Sequence, residues 1–387
     1  MLHALIQSYK KHTGEWTVAF TVIAWRVILE IFGQYANIRW LFLQPDLPTW
    51  KPELRAISDI WSRWDSEWYH MIIHHGYVAS PDPLVQTDVV FFPLYPYIVK
   101  LFSTPFGWND FYVGSVLSFV FFVIACVLLY KLLKLDFEKN LANRVIFFIL
   151  LFPLSFFFIT MYTESLFLLL VVAAFYAARK GNWMWVGIFA FFLSLTRLVG
   201  LAVLPALAVE YMAARKWKWR EIQVDVLWLG LGVAGLLAFM LFLQFKVGDA
   251  LAFIHGQSAW LRSFEFPWTT IARDYWPIVA SRSLETIGTH RGMVTDLAYF
   301  FFGLLIIGIL FWKERLSYAI FALCMFIPAV TGGQLTSMGR YLIIIFPIFI
   351  LLAKAGKYKW FEMLYIAFCL LFFAENVMLY VLTHWIA

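Results

Sequence analysis

The sequence predicts an all-α polytopic membrane protein, and three observations carry that prediction. Hydrophobic residues make up 63% of the 387 positions and charged residues only 14%, against about 25% charged in a soluble domain. About eleven apolar windows approach the roughly 20 residues needed to span about 30 Å of hydrocarbon as helix. Six clusters of Lys and Arg punctuate those windows. Together these exclude an ordinary soluble, disordered or fibrous protein. The 41 Phe, 19 Trp and 18 Tyr suit lipid-facing helices with aromatic belts. The net charge of +6, from 30 basic and 24 acidic residues, belongs to topology and anionic membrane lipid, with no nucleic-acid partner expected.

In chain order, the windows lie near 16–38, 111–133, 144–160, 164–178, 183–196, 198–213, 226–247, 296–312, 316–331, 340–353 and 360–382. Cys126, Cys324 and Cys369 fall inside apolar runs and read as small core residues. The start of the chain, with Lys10-Lys11-His12 running straight into the first window, shows no cleavable signal pattern. Two stretches interrupt the pattern and are far too long for turns: 39–110 and 248–295, rich in Pro, Trp and charge. The expected organisation is one transmembrane domain over 1–387, carrying these two stretches as loops.

Basic connectors orient such a chain. They occur at Lys10-Lys11, Lys131 to Arg144, Arg179-Lys180, Arg215 to Arg220, Lys313/Arg315 and Lys354 to Lys359. If residues 89–106 enter the membrane without crossing it, all six fall on one face, taken as cytoplasmic. The N-terminus is then inside and the C-terminus outside. Both long loops, the turn at Tyr162-Thr163-Glu164 and the segment Thr331 to Gly339 share the extracytoplasmic face.

The densest chemistry is Asp59-Ile-Trp-Ser-Arg63-Trp64-Asp65-Ser66-Glu67-Trp68-Tyr69-His70, continuing to His74-His75-Gly76-Tyr77 and Phe91-Phe92-Pro93-Leu94-Tyr95-Pro96. Ile60, Trp64, Trp68 and Ile72 repeat at i, i+4 and predict an amphipathic helix in the interface. On that helix Asp65 and Glu67 lie about 200° apart, so one carboxylate should do chemistry and the other hold structure. The plainer reading makes both solvated charges, but an idle carboxylate is costly among four large aromatics at membrane depth. His70 and His74 have the i, i+4 spacing of a metal pair. With no third ligand nearby and His75 pointing elsewhere, no metal and no cofactor is expected.

Charges inside the spans come next. Arg26 and Glu30 read as an internal ion pair. Arg197, between two apolar halves, either binds a phosphate with its fork of donors or holds a helix turn. Arg340 is the second candidate for an anion contact, because Gly339 lets the backbone approach a ligand closely. Glu164 opens a helix and reads as N-terminal capping. Gly248-Asp249 and the run Phe253 to Gln257 begin the second loop.

Arg63-Trp64-Asp65-Ser66-Glu67, His75-Gly76-Tyr77 and Phe91-Phe92-Pro93-Leu94-Tyr95-Pro96 resemble the signature of the PIG-V family, the GPI mannosyltransferases of the second mannose and their prokaryotic relatives. Tyr162-Thr163-Glu164-Ser165-Leu166-Phe167, Thr196-Arg197-Leu198-Val199-Gly200 and Ser337-Met338-Gly339-Arg340-Tyr341 follow in the family's order, so the resemblance spans roughly 60–350. It implies a GT-C glycosyltransferase with its active site on the outer face and a polyprenyl-phosphate-mannose donor. The acceptor would be a glycolipid or glycan, and the location the plasma membrane of a prokaryote, or the ER membrane in a eukaryote. The resemblance gives Asp65 the catalytic role. Residues expected to bind donor or acceptor are Trp64, Glu67, Tyr69, His75 and Tyr95 in the first loop. Glu164, Arg197, Gln257, Arg340 and Tyr341 are expected to join them from later segments.

The chemistry is consistent with that assignment on its own terms. A lipid phosphate is already a good leaving group, so one carboxylate must deprotonate the acceptor hydroxyl and cations must stabilise the departing phosphate. A glycosidase would need two facing carboxylates. A transporter or lipid-linked-sugar flippase is the alternative, but it should show internal repeats and polar groups at midplane. A non-catalytic assembly subunit would tolerate replacement of Asp65.

Overall fold

The computed structural model describes residues 13–43, 60–80, 82, 84–384 and 386. The Lys10-Lys11 cluster and all of 44–59, Asp59 included, lie outside the described residues. The architecture is helical throughout, with one isolated bridge between Glu265 and Gly332 and no strand among the described residues.

Each apolar window is built mainly of helix. The first is α1 (Thr13–Leu43). The loop that follows carries α2 (Asp65–His75) and α3 (Leu94–Ser103). The bundle continues with α4 (Asp110–Leu133), α5 (Lys139–Leu151), α6 (Glu164–Arg179), α7 (Trp183–Thr196), α8 (Leu204–Ala214) and α9 (Gly230–Val247). After short helical turns over 252–289 come α10 (Arg291–Lys313), α11 (Leu316–Val330), α12 (Met338–Ile343), α13 (Pro347–Ala355) and α14 (Lys359–Val381). Five stretches are long and apolar enough to cross a membrane: Thr13–Arg39, Asp110–Leu133, Val224–Val247, Arg291–Lys313 and Lys359–Val381. The chain is an integral membrane protein. At 10 residues, α3 rises only about 15 Å, too short to cross.

Position in the bundle follows from which faces are apolar. The centre is α6, buried on every side by α4, α7 and α8, as expected of a helix apolar all round. The outer helices keep apolar residues exposed instead: Phe20, Val27, Ile28 and Ile31 on α1, Leu237, Leu241 and Phe245 on α9, Leu364, Phe368 and Leu371 on α14. In water such surfaces would drive aggregation; in a bilayer they face acyl chains. Glycine allows the closest approach. A Cβ at Gly187 of α7 would lie 2.3 Å from the Trp228 carbonyl oxygen, and one at Gly235 of α9 2.4 Å from that of Phe191. Small residues bring backbones together in this way where lipid supplies no hydrophobic drive between helices.

One end of the bundle is tied by ions. Arg179 pairs with Asp136 at 2.5 Å and with Glu210 at 3.3 Å, while Glu210 also takes Arg315 at 2.8 Å and the Ser317 hydroxyl. Lys354 meets Glu314. Four of the basic connectors assigned to one face therefore share one neighbourhood. The Arg26–Glu30 pair also forms, at 2.8 Å, and Glu30 accepts a second bond from Trp61 Nε1 at 2.7 Å.

The first loop departs from its expected form. A single amphipathic helix through Ile60, Trp64, Trp68 and Ile72 does not exist. Ile60 and Trp61 are fully buried ahead of the helix, and Trp64 breaks the run with φ 55°, so α2 begins at Asp65. Tertiary burial of Trp61 against Glu30 overrides the i, i+4 pattern.

Candidate active site

The loop bearing Asp65 is zipped onto the turn before α6. Met161 N–H donates to the Trp61 carbonyl at 3.3 Å and Ser66 Oγ to the Met161 carbonyl at 3.2 Å. The Tyr162 hydroxyl donates to the Arg63 carbonyl at 2.9 Å and accepts from Asp65 N–H at 3.3 Å. These ties hold Trp64 in the left-handed region, where a bulky residue costs on the order of 1–3 kcal/mol. The kink sets Asp65 in the first turn of α2, where the helix dipole favours a carboxylate.

Beside it opens a cavity of about 880 Å³. Its wall draws on six separated segments: Asp65 and Tyr69; Phe91; Thr163; Thr196 and Arg197; Gln257, Trp260 and Arg262; Ser337, Arg340 and Tyr341. Both long loops meet here. Trp68 stacks on Phe91 with centroids 5.8 Å apart and meets Trp260 edge-on at 5.3 Å. Arg273 links Glu265 at 2.9 Å to the Gly333 carbonyl at 3.1 Å, fastening the second loop to the turn before α12.

Beneath the wall lies an ion network. Glu164 is completely buried, and its Oε1 accepts from Arg197 at 3.0 Å and twice from Arg340, at 3.1 and 2.8 Å. The same Arg340 Nη2 reaches Asp65 Oδ2 at 3.0 Å. The guanidinium of Arg340 also lies over the rings of Tyr162 and Phe157, at 4.6 and 4.9 Å. Glu164 thus occupies the first turn of its helix as expected, but its work is to hold two arginines. Asp65 Oδ1 has no hydrogen-bond partner among the described residues, while Oδ2 is fixed.

Three arginines here face two carboxylates, which leaves one positive charge in excess. The arginine bonded to neither carboxylate is Arg262, whose Nη1 donates to the Tyr341 hydroxyl at 3.2 Å. Burial, with the charges of Asp65 and Glu164, holds the Tyr69 phenol well above its usual range. Tyr69 is therefore a neutral donor at physiological pH.

Of the residues singled out from sequence, Asp65, Tyr69, Arg197, Gln257, Arg340 and Tyr341 line the cavity, with Glu164 directly behind. Glu67, Trp64 and His75 do not line it. Tyr95 is sealed in the core, bonded to the Gly114 carbonyl at 2.9 Å and to Ser118 at 2.8 Å. The reason given for Gly339 also fails, since a Cβ there would strike Leu154 at 2.2 Å and Tyr299 at 2.8 Å. Its missing side chain serves helix packing and leaves the ligand question to its neighbours. Arg262 and Trp260 were not singled out, and Phe91 only as part of the Phe91 to Pro96 motif. A basic residue between Trp260 and Phe264 in the second loop was the available signal for Arg262. The premise that His70 and His74 lack a third ligand is also corrected. Asp110, 40 residues away, accepts from His70 Nδ1 at 2.7 Å and stands 3.6 Å from His74 Nε2.

No family model and no curated protein matches this sequence. Solved structures do. An oligosaccharyltransferase of Archaeoglobus fulgidus in its apo form aligns over 97% of this chain and 56% of its own, at 15% identity and TM-score 0.44. The same enzyme tethered to an acceptor peptide containing the NVT sequon gives 97%, 55%, 15% and 0.46. Its complex with an inhibitory peptide and a dolichol-phosphate gives 96%, 56%, 14% and 0.42. This chain spans little more than half the length of those proteins.

Proposed function

We propose that the chain is an inverting GT-C glycosyltransferase. In this reading it moves mannose from a polyprenyl-phosphate-mannose donor to a glycolipid or glycan acceptor on the extracytoplasmic face of the membrane. The observation that carries the reading is a lone accessible carboxylate, Asp65, beside a cavity wall with an uncompensated guanidinium, Arg262. That pairing matches the two demands of the reaction.

Asp65 takes the proton of the acceptor hydroxyl through Oδ1 while Arg340 fixes Oδ2. The acceptor oxygen attacks the sugar's anomeric carbon as the bond from that carbon to the phosphate oxygen breaks. The electron pair leaves with the polyprenyl phosphate. Arg262, supported by Arg197, meets the growing charge in a partly water-excluded site. Among the described residues no second carboxylate lines the cavity with Asp65, and Glu164 is buried behind two arginines. A glycosidase mechanism has no partner group here. Phe91, Trp260 and Tyr69 give flat apolar faces to the sugar. The apolar helix faces around the bundle suit a polyprenyl tail.

The deciding experiment incubates purified protein in lipid with labelled polyprenyl-phosphate-mannose and a membrane lipid extract. The expected product is a mannosylated lipid or glycan formed by wild type. Asp65→Asn, which keeps the shape and removes the basicity, should lose about 10²–10⁴-fold in rate while still binding donor. Unimpaired transfer by Asp65→Asn would refute the assignment.

A further inference from the structure

The face of α2 turned away from the cavity carries a second constellation. From Asp65 to His74 is nine residues, about half a turn of arc at 100° per residue, so the two side chains leave the helix on opposite sides. His70 and His74 are one turn apart, with ring centroids at 4.5 Å. The first residue of α4, Asp110, reaches between them and is itself buried. The three donor atoms, His70 Nδ1, His74 Nε2 and Asp110 Oδ2, lie within 4.8 Å of one another.

We propose that His70, His74 and Asp110 form a site for a divalent transition ion, Zn²⁺ foremost, with a fourth position open to water. Imidazole and carboxylate suit zinc, and three protein ligands plus water is one of its standard arrangements. Bonds of about 2.0–2.2 Å in a tetrahedron set donor atoms about 3.4 Å apart. The observed separations of Asp110 Oδ2 from the two imidazoles, 2.7 and 3.6 Å, bracket that value. Seating the ion asks for a sub-ångström movement of Asp110 and a rotation of the more exposed His74 that draws the donors in from within 4.8 Å of one another. Side-chain exposures of 34% for His70 and 50% for His74 leave the ion an entry path, while the buried carboxylate supplies the fixed leg. Phe111 stacks on the His70 ring at 4.8 Å and 13°, which limits ring rotation. None of the three residues lines the cavity. The ion would staple α2 to α4, bracing the helix that begins with Asp65, without touching substrate. The proposal stands independently of the glycosyl-transfer reading.

The test uses the full chain, purified in detergent through a tag free of histidine, stripped with chelator and titrated with Co²⁺ and then Zn²⁺. The expected result is saturable binding of one Co²⁺ per chain with visible ligand-field bands of a tetrahedral site, displaced by Zn²⁺, and a higher unfolding temperature when loaded. His74→Ala, at an exposed position, should leave the metal-free unfolding temperature unchanged. It should also weaken binding at least about tenfold, the scale seen when even outer-shell partners are lost. His255→Ala removes the other His–Asp pair, with Asp249 at 2.7 Å, and should bind as wild type. Absence of saturable one-to-one binding overturns the proposal. So does wild-type affinity in His74→Ala, or loss of binding in His255→Ala alone.

Discussion

Replacing Arg340 by Ala tests the network most directly, because the fold and the proposed chemistry give that residue different duties. From sequence Arg340 is the firmer contact for a donor phosphate, and its loss should weaken binding in an intact fold. In the structure all of its side-chain hydrogen bonds go to carboxylates, two to Glu164 and one to Asp65. Three charge-assisted bonds at about 1.5–3 kcal/mol each would overstate its worth, since burying the ions carries its own cost. The relevant quantity is the cost of leaving a buried carboxylate short of its partner, about 3–5 kcal/mol. Arg197 still holds Glu164 at 3.0 Å, which places the loss near the lower end, about 3 kcal/mol. Arg340→Lys should recover part of it, because an ammonium cannot bridge two carboxylates as a planar fork does. The double variant Arg340→Ala/Glu164→Gln should lose less than the sum of the single changes. Reversible unfolding in mixed micelles measures wild type, Arg340→Ala, Arg340→Lys, Glu164→Gln and the double variant. An Arg340→Ala variant as stable as wild type, with strictly additive behaviour in the double, would show that the network holds nothing.

Other outcomes follow from the same geometry. Arg262→Ala should leave unfolding unchanged and weaken polyprenyl-phosphate binding by about 1.5–3 kcal/mol, roughly tenfold to a hundredfold; wild-type binding in a titration would remove Arg262 from the phosphate site. Glu67→Gln, whose side chain stays outside the cavity, should retain most transfer activity, and a rate as low as that of Asp65→Asn would mean the two act as one unit. Burial raises the Asp88 carboxyl above its ordinary range, opposed by the bond it accepts from Val78 N–H at 2.9 Å. The folded state thus favours the protonated form, and that contribution is complete below the unfolded pKa and lost as pH rises through the folded value. Asp88→Asn should therefore gain stability over wild type at neutral pH, with the difference closing in acid; equal melting curves at both ends would refute it. A single cysteine beside Asp249 should react with an impermeant reagent on intact cells, and one placed between Arg215 and Arg220 should not. Reversed labelling would invert the topology.

The sequence made the membrane architecture readable because bilayer thickness imposes one length scale on every span. Each of the apolar windows, from 16–38 to 360–382, coincides with helix, though 144–160, 198–213, 226–247 and 340–353 include 3-10 turns or a short gap. Asp65, Arg197, Arg340 and Glu164 were also readable as exceptions, since charges in apolar surroundings need a reason. What stayed hidden depends on partners distant in the chain. Periodicity placed Trp64 on a helical stripe from Ile60, yet Trp61 reaches across 31 positions to Glu30 and the helix starts only at Asp65. Glu164 read as a cap because its arginines lie 33 and 176 positions away. Asp110 escaped notice as a companion of His70 for the same reason, and Arg262 because its loop offered no pattern to interrupt.

The short central helix has a consequence for where the cavity lies in depth. With 16 residues, α6 rises about 24 Å, some 6 Å less than a typical hydrocarbon slab of about 30 Å. Its far end is pinned, since Arg179 is bound to Asp136 and Glu210 among the basic connectors. The shortfall must then appear at the Glu164 end, under the floor of the cavity. In the proposed orientation the cavity becomes a well set into the bilayer, with the longer α4 beside it and buried ion pairs as its floor. In the proposed reaction the lipid-borne donor phosphate would enter that well sideways at the depth it already occupies, without being lifted out of its leaflet. Bilayer thickness then sets how deep the well is, so the surrounding lipid becomes part of the geometry of the site.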